Sequence, residues 1–248
     1  MSRTFKFSGR IASDNLLHST AEDAPDGVLI PPHYVDSSWG KVPQYATPVR
    51  DTNTGYDPSG DCDGYFMSYK YQANNNCYAY GCNIASNSFP QPGRASGAPN
   101  LFQKGNFSAE QVCENAVSDG LVYVGNTLEE LHQHASQSSK GHYVALMFSP
   151  PEDNIGGDPK AQWPGDYHWA RCDTLEPMSW SQKDGGDQVT NFDFAGQPIT
   201  NPAVANWRVN QGPIQTSGPS DQRDYNEYVV SYAFYCFMFV PDTGVNIL

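Results

Sequence analysis

A cysteine placed to open a helix and a histidine held mid-strand are the side chains here whose types and spacing suit covalent acyl transfer. Cys77 follows the run Asn74-Asn75-Asn76 and begins the stretch Cys77-Tyr78-Ala79-Tyr80-Gly81-Cys82. Asparagine is a preferred N-cap, and a thiol at a helix N-terminus gains thiolate character from the dipole and the nearby N–H groups. A nucleophile of this kind needs a base within hydrogen-bond reach. His168 lies between Tyr167 and Trp169 in the segment Asp166-Tyr-His-Trp-Ala-Arg171, where a strand would hold it rigidly. The pair would attack an amide or ester carbonyl: Cys77 forms the acyl-enzyme, while His168 accepts the thiol proton and returns it to the leaving group.

The elements that must position this pair are legible as punctuation. A helix is expected from Cys77 to about Ser88, stopped by Phe89-Pro90-Gln91-Pro92-Gly93. Two more open on capping boxes, Ser108-Ala-Glu-Gln111 and Thr127-Leu-Glu-Glu130, and run to about Ser118 and Ser136. The pattern then turns strand-like. His142–Phe148 ends at Ser149-Pro150-Pro151, Asp166–Arg171 and Met178–Lys183 read as a hairpin, Gln188–Phe192 continues the sheet, and Tyr228–Val240 is a last buried strand. Helices first and an antiparallel sheet after give an α+β expectation. Residues 1–60 read as an irregular N-terminal arm packed on a domain spanning 61–248, with many Pro, Asp, Ser and Thr residues and one or two short strands.

Composition narrows the function classes. A formal charge of −13 argues against nucleic-acid binding, which needs a Lys/Arg surplus. It also argues against docking on anionic membranes, and the most apolar stretch is shorter than a bilayer span. Residues 1–20 carry charges and no apolar core of a leader peptide, so the expectation is a soluble protein, secreted or delivered by a signal-less route and otherwise cytoplasmic. The six cysteines form no Cys-x-x-Cys pair, so zinc spacing is missing, and no cofactor or metal is expected. His132 and His134 face different sides of a helix, which makes them poor co-ligands and reads as solvated surface. Asp61-Cys62-Asp63-Gly64 lacks the distal Glu of a calcium loop. Cys82 and Cys236 read as core, as free cysteines usually are.

The strings Asn-Asn-Asn-Cys-Tyr-Ala-Tyr (74–80) and Asp-Tyr-His-Trp-Ala-Arg (166–171), with Phe89 to Gly93, Trp180-Ser-Gln-Lys183 and the run to Pro202, carry a resemblance. A nucleophile helix, a His-bearing strand and a later polar residue resemble the papain-like cysteine peptidases and amidases, most of all the CHAP-type cell-wall amidases and a set of uncharacterised microbial proteins. The likeness covers roughly residues 72–202. It implies a papain-like domain with the nucleophile helix packed on an antiparallel sheet. It implies Gln72 as oxyanion-hole amide, with Asn76 and Asn75 as rivals. Gln182 stands where the pattern has histidine, so the residue orienting His168 stays open between Gln182, Asn191 and Asp193. Trp169 and Tyr78 are the aromatic candidates for substrate contact. The function implied is hydrolysis of a peptidoglycan peptide or protein amide, as in a delivered toxin or effector whose partner would be a cognate inhibitor or immunity protein. Two alternatives accompany it: a catalytically silent binding or structural protein on the same fold, and a transglutaminase-like acyltransferase.

Overall fold

Continuous runs of buried residues in the later half build one large sheet, and the helices only decorate it. The computed structural model describes residues 33–50, 55–56, 66–67, 71–103, 105–137, 140–155, 162–210 and 228–248. His18, Cys62, the Asp61–Gly64 loop and Gly156-Gly157 lie outside the described residues.

Fourteen strands are described: β1 (His33–Ser37), β2 (Gly40–Gln44), β3 (Val49–Arg50), β4 (Ile84–Ala85), β5 (Val122–Gly125), β6 (Gly141–Ser149), β7 (Glu152–Asp153), β8 (Gln162–Trp163), β9 (Asp166–Leu175), β10 (Met178–Lys183), β11 (Val189–Thr190), β12 (Arg208–Asn210), β13 (Val229–Ser231) and β14 (Ala233–Pro241). The helices are α1 (Cys77–Cys82), α2 (Ala109–Ser118) and α3 (Leu128–Ala135). Six strands form the central sheet in the order β11-β10-β9-β6-β14-β5, every neighbouring pair antiparallel. This mostly-β architecture overturns the α+β, papain-like expectation. The helices are short, and β5 enters the sheet from between α2 and α3 instead of after them.

The sheet is covered on both faces. Cys77, Tyr78, Val112, Cys113 and Ala116 from α1 and α2 pack on Val144, Leu146, Tyr167, Trp169, Cys236 and Met238. The alternate residues, Ala145, Met147, Ala170, Cys172, Trp180, Phe237 and Phe239, face a second cluster with Trp163, Ile199, Trp207 and Tyr232. A strand puts successive side chains on opposite faces, so these two lists interleave along each strand.

Local chemistry explains each boundary. Thr127 and Glu130 close a reciprocal capping box on α3. At α2 only half of the box forms: Ser108 accepts from the Gln111 N–H, while the Gln111 amide turns to Glu114 and Asn115. α1 stops six residues after the expected start because Asn83 adopts a left-handed conformation (φ 55°) and returns its N–H to Ala79 and Tyr80. Residues 84–85 then leave as β4 and pair with β3. The expected last strand is divided at Tyr232, whose N–H is drawn to the Trp207 carbonyl at 3.0 Å. Consequently β13 pairs with β12 while β14 joins the main sheet. Residues 33–50 carry the β1–β2 hairpin and dock through Tyr45 N–H to Asn87 O and Trp39 Nε1 to Ala98 O.

Candidate functional site

The asparagine run ahead of α1 is a set of backbone clasps. Asn76 is the N-cap: its side-chain oxygen accepts from Tyr78 and Ala79 N–H at 3.2 and 3.1 Å. Its amide nitrogen donates to the Pro90 carbonyl at 2.7 Å. Asn75 donates to the Tyr71 carbonyl and the Asn87 side chain and accepts the Asn87 N–H. Gln72 donates to the Gly186 carbonyl at 3.3 Å. All three amides expected at an oxyanion hole therefore hold backbone.

Cys77 is the first residue of α1 and is completely buried. Its Sγ lies 4.0 Å from the Tyr167 carbonyl, on the sheet face that carries Tyr167 and Trp169. Burial pushes its thiol well above the ordinary range, and the Asp166 carboxylate adds to the rise. A six-residue helix has too small a dipole to reverse that desolvation.

His168 occupies the opposite face. In the register with β6 it stands beside Met147, whereas Tyr167 and Trp169 stand beside Phe148 and Leu146. Its ring lies 5.6 Å from both Phe194 and Trp207 and 6.0 Å from Tyr232. The expected Cys77–His168 dyad is thus separated by the sheet itself, and His168 cannot take the thiol proton. Of the three candidates for orienting His168, the structure selects Gln182, with Oε1 2.6 Å from His168 Nε2. The Gln182 amide nitrogen donates to the Phe192 carbonyl at 2.7 Å, so Oε1 is left to accept and the Nε2 proton of His168 is the donor. Burial moves the imidazole down to about 4, which keeps it neutral. Asn191 accepts the Ile199 N–H through its carbonyl, and Asp193 organises an exposed turn by accepting from Ala195, Gln197 and Asn206 N–H. Neither is the partner of His168.

Trp169 and Tyr78, the expected substrate contacts, are fully buried and packed on each other with ring centroids 5.3 Å apart. The Tyr78 hydroxyl donates to Asp119 at 2.9 Å, and the Gly93 N–H donates to the same oxygen at 2.7 Å. Burial lifts that carboxyl to about 6. Gly93 (φ 85°) must be glycine, since a Cβ there would lie 2.7 Å from the side chains of Asn115 and Ala98. The neighbouring Gln91 accepts from the Tyr167 hydroxyl. The Phe89–Gly93 string is therefore a packed peg between α1, α2 and β9. His134, expected in solvent, instead meets the Tyr143 hydroxyl at 2.8 Å.

The residue that sequence reasoning missed is Lys183. It is fully buried at the end of β10, and its ammonium donates to the carbonyls of Gln72, Asn75 and Gly185 at 2.7, 2.6 and 2.9 Å. The one sequence signal for it was its place in the Trp180–Lys183 string. Among the described residues, no three His, Cys, Asp or Glu side chains gather as a metal site, and no helix is long and apolar enough to cross a membrane.

The strings around Cys77, Phe89–Gly93, His168 and Trp180–Lys183 thus resolve into interior packing. Insoluble matrix shell protein 1 of Ruditapes philippinarum is 33% identical over 135 residues, covering 54% of this chain and 72% of that protein. The chain belongs to the insoluble matrix shell protein 1 family. No family model matches it, and no solved structure matches it. In this chain the asparagine clasps, the Phe89–Gly93 peg and the Lys183 anchor join the lead into α1, β9 and β10 into one interior.

Proposed function

We propose that this chain is a non-catalytic structural component of an extracellular matrix of the shell type. The observation that carries the reading is the placement of Cys77 and His168 on opposite faces of a sheet sealed on both sides. A thiol nucleophile needs its base in hydrogen-bond reach and an oxyanion donor beside it. Here the base is across the sheet, and the amides are bound to carbonyls. Membership of a family whose curated relative is an insoluble matrix protein supports the matrix role and, with it, secretion. The net charge of −13 suits an assembly that holds cations, since net charge bears on non-specific association more than on fold.

The test has two parts on the full chain. Antibodies to the chain should find it in the insoluble extracellular fraction of the organism that makes it, with little in the cell lysate. Incubation with peptide amides, peptidoglycan fragments and activated esters should give no turnover above buffer. Turnover that disappears in Cys77→Ser, or retention of the chain inside cells, would overturn the proposal.

A further inference from the structure

Three sulfur atoms meet where α2 crosses β14. Cys113 Sγ lies 3.9 Å from Cys236 Sγ and 3.9 Å from Met238 Sδ. Cys236 and Met238 sit on the same sheet face, enclosed by the cluster that α1 and α2 cover. Cys113 keeps a sliver of solvent exposure (7%), whereas Cys236 has none. Both thiols are free.

We propose that Cys113 and Cys236 are a reversible disulfide site that links helix α2 to strand β14. The sulfurs must close from 3.9 Å to about 2 Å. Movement of that size lies within the reach of side-chain rotation, and Met238 is the pliable neighbour that yields. The two thiols are unequal in a way that fits exchange. The hydrogen bond from Cys236 lowers Cys113 below the ordinary thiol value, while Cys236 is raised, so Cys113 is the nucleophile and Cys236 the resolving thiol. Cys113 thiolate attacks one sulfur of a small disulfide, such as oxidised glutathione, and expels the other half as thiolate. Cys236 then loses its proton to that thiolate and attacks the Cys113 sulfur, expelling the second half. Two protein thiols are oxidised, one small disulfide is reduced to two small thiols, and no other oxidant is needed. Nothing in this chemistry requires the matrix role, although a secreted protein meets such oxidants.

The bond would close a loop between positions 123 residues apart, so it should restrict the unfolded chain strongly. The experiment treats the reduced full-length protein with oxidised glutathione at about pH 8, then maps free thiols by alkylation and mass spectrometry. Expected are loss of two hydrogens, protection of Cys113 and Cys236 while Cys77, Cys82 and Cys172 stay free, and a rise in Tm of roughly 10 °C that a reductant reverses. Cys236→Ser should stop the reaction at a glutathione adduct on Cys113, and Cys113→Ser should give neither adduct nor bond at this site. Continued alkylation of both thiols after treatment, or a bond mapped to any other pair, would overturn the proposal. The Tm and mapping readouts on the unsubstituted protein decide the matter even where a serine variant fails to fold.

Discussion

Replacing Lys183 by methionine keeps the length and bulk of the side chain and removes only the ammonium. In the folded protein that ammonium is wholly enclosed and donates to three carbonyls, one before the asparagine run, one within it and one in the turn after β10. Removing it leaves three buried acceptors without this donor, each worth about 1–2 kcal/mol in lost hydrogen bonding. It also takes from the half-buried Asp184 carboxyl, already lifted to about 7, the neighbouring charge that pulls it down. Against these losses stands the relief of no longer desolvating a charge, which returns a few kcal/mol. The net expectation is a loss of about 3 kcal/mol, a large part of a typical domain's stability. Urea unfolding followed by tryptophan fluorescence measures it as a fall in midpoint at unchanged slope. Arginine should not rescue the variant, because its planar fork cannot replace a compact ammonium among three converging carbonyls. A loss below about 1 kcal/mol for Lys183→Met would refute the view that this lysine anchors the lead into α1.

Asn76→Ala removes an N-cap that satisfies two N–H groups and also orphans the Pro90 carbonyl, so a loss of about 2–4 kcal/mol is expected by the same denaturant titration. The pH dependence has opposing parts. His168 and His142 are each held near 4 by burial, below the unfolded value of 6.5, so the stability from keeping them neutral is complete above about pH 6.5 and is lost as pH falls toward 4. Asp184 and Asp119 are raised, so they favour the folded state at low pH and withdraw that contribution as pH rises toward 7 and 6. In His168→Gln the first contribution from that site is gone. Its stability deficit relative to the parent protein should therefore shrink by about 3 kcal/mol between pH 7 and pH 4, measured by urea unfolding at each pH. A deficit independent of pH would show that His168 is not held neutral by burial.

Local signals carried well, and parity did not. The starts of α1, α2 and α3 were legible because capping is decided by a few adjacent residues, here Asn76, Ser108 and Thr127. The strands β6, β9 and β10 were legible from their apolar and aromatic content. What sequence could not convey was which face each β9 residue takes relative to α1. The first seven residues of β9 are all buried, so no polar alternation marks one face as outward. With Tyr167, His168 and Trp169 equally enclosed, a one-residue change of parity decides whether the histidine meets the cysteine or turns its back on it. The left-handed stop at Asn83 and the break at Tyr232 were likewise hidden. The first depends on one backbone conformation, and the second on a distant carbonyl at Trp207. Gln182 stands opposite Ala170 in the β9–β10 register, and its side chain reaches His168 two residues along β9 on the same face.

The central claim is that Cys77 is a packed core thiol and His168 is not its base. Its most direct test is the rate of Cys77 alkylation by iodoacetamide at about pH 6 in the native protein, read by peptide mapping beside the other cysteines. The account predicts that Cys77 reacts no faster than Cys82, another fully buried thiol, and that His168→Gln leaves the rate unchanged wherever the variant stays folded. Selective, rapid labelling of Cys77 that His168→Gln abolishes would contradict it.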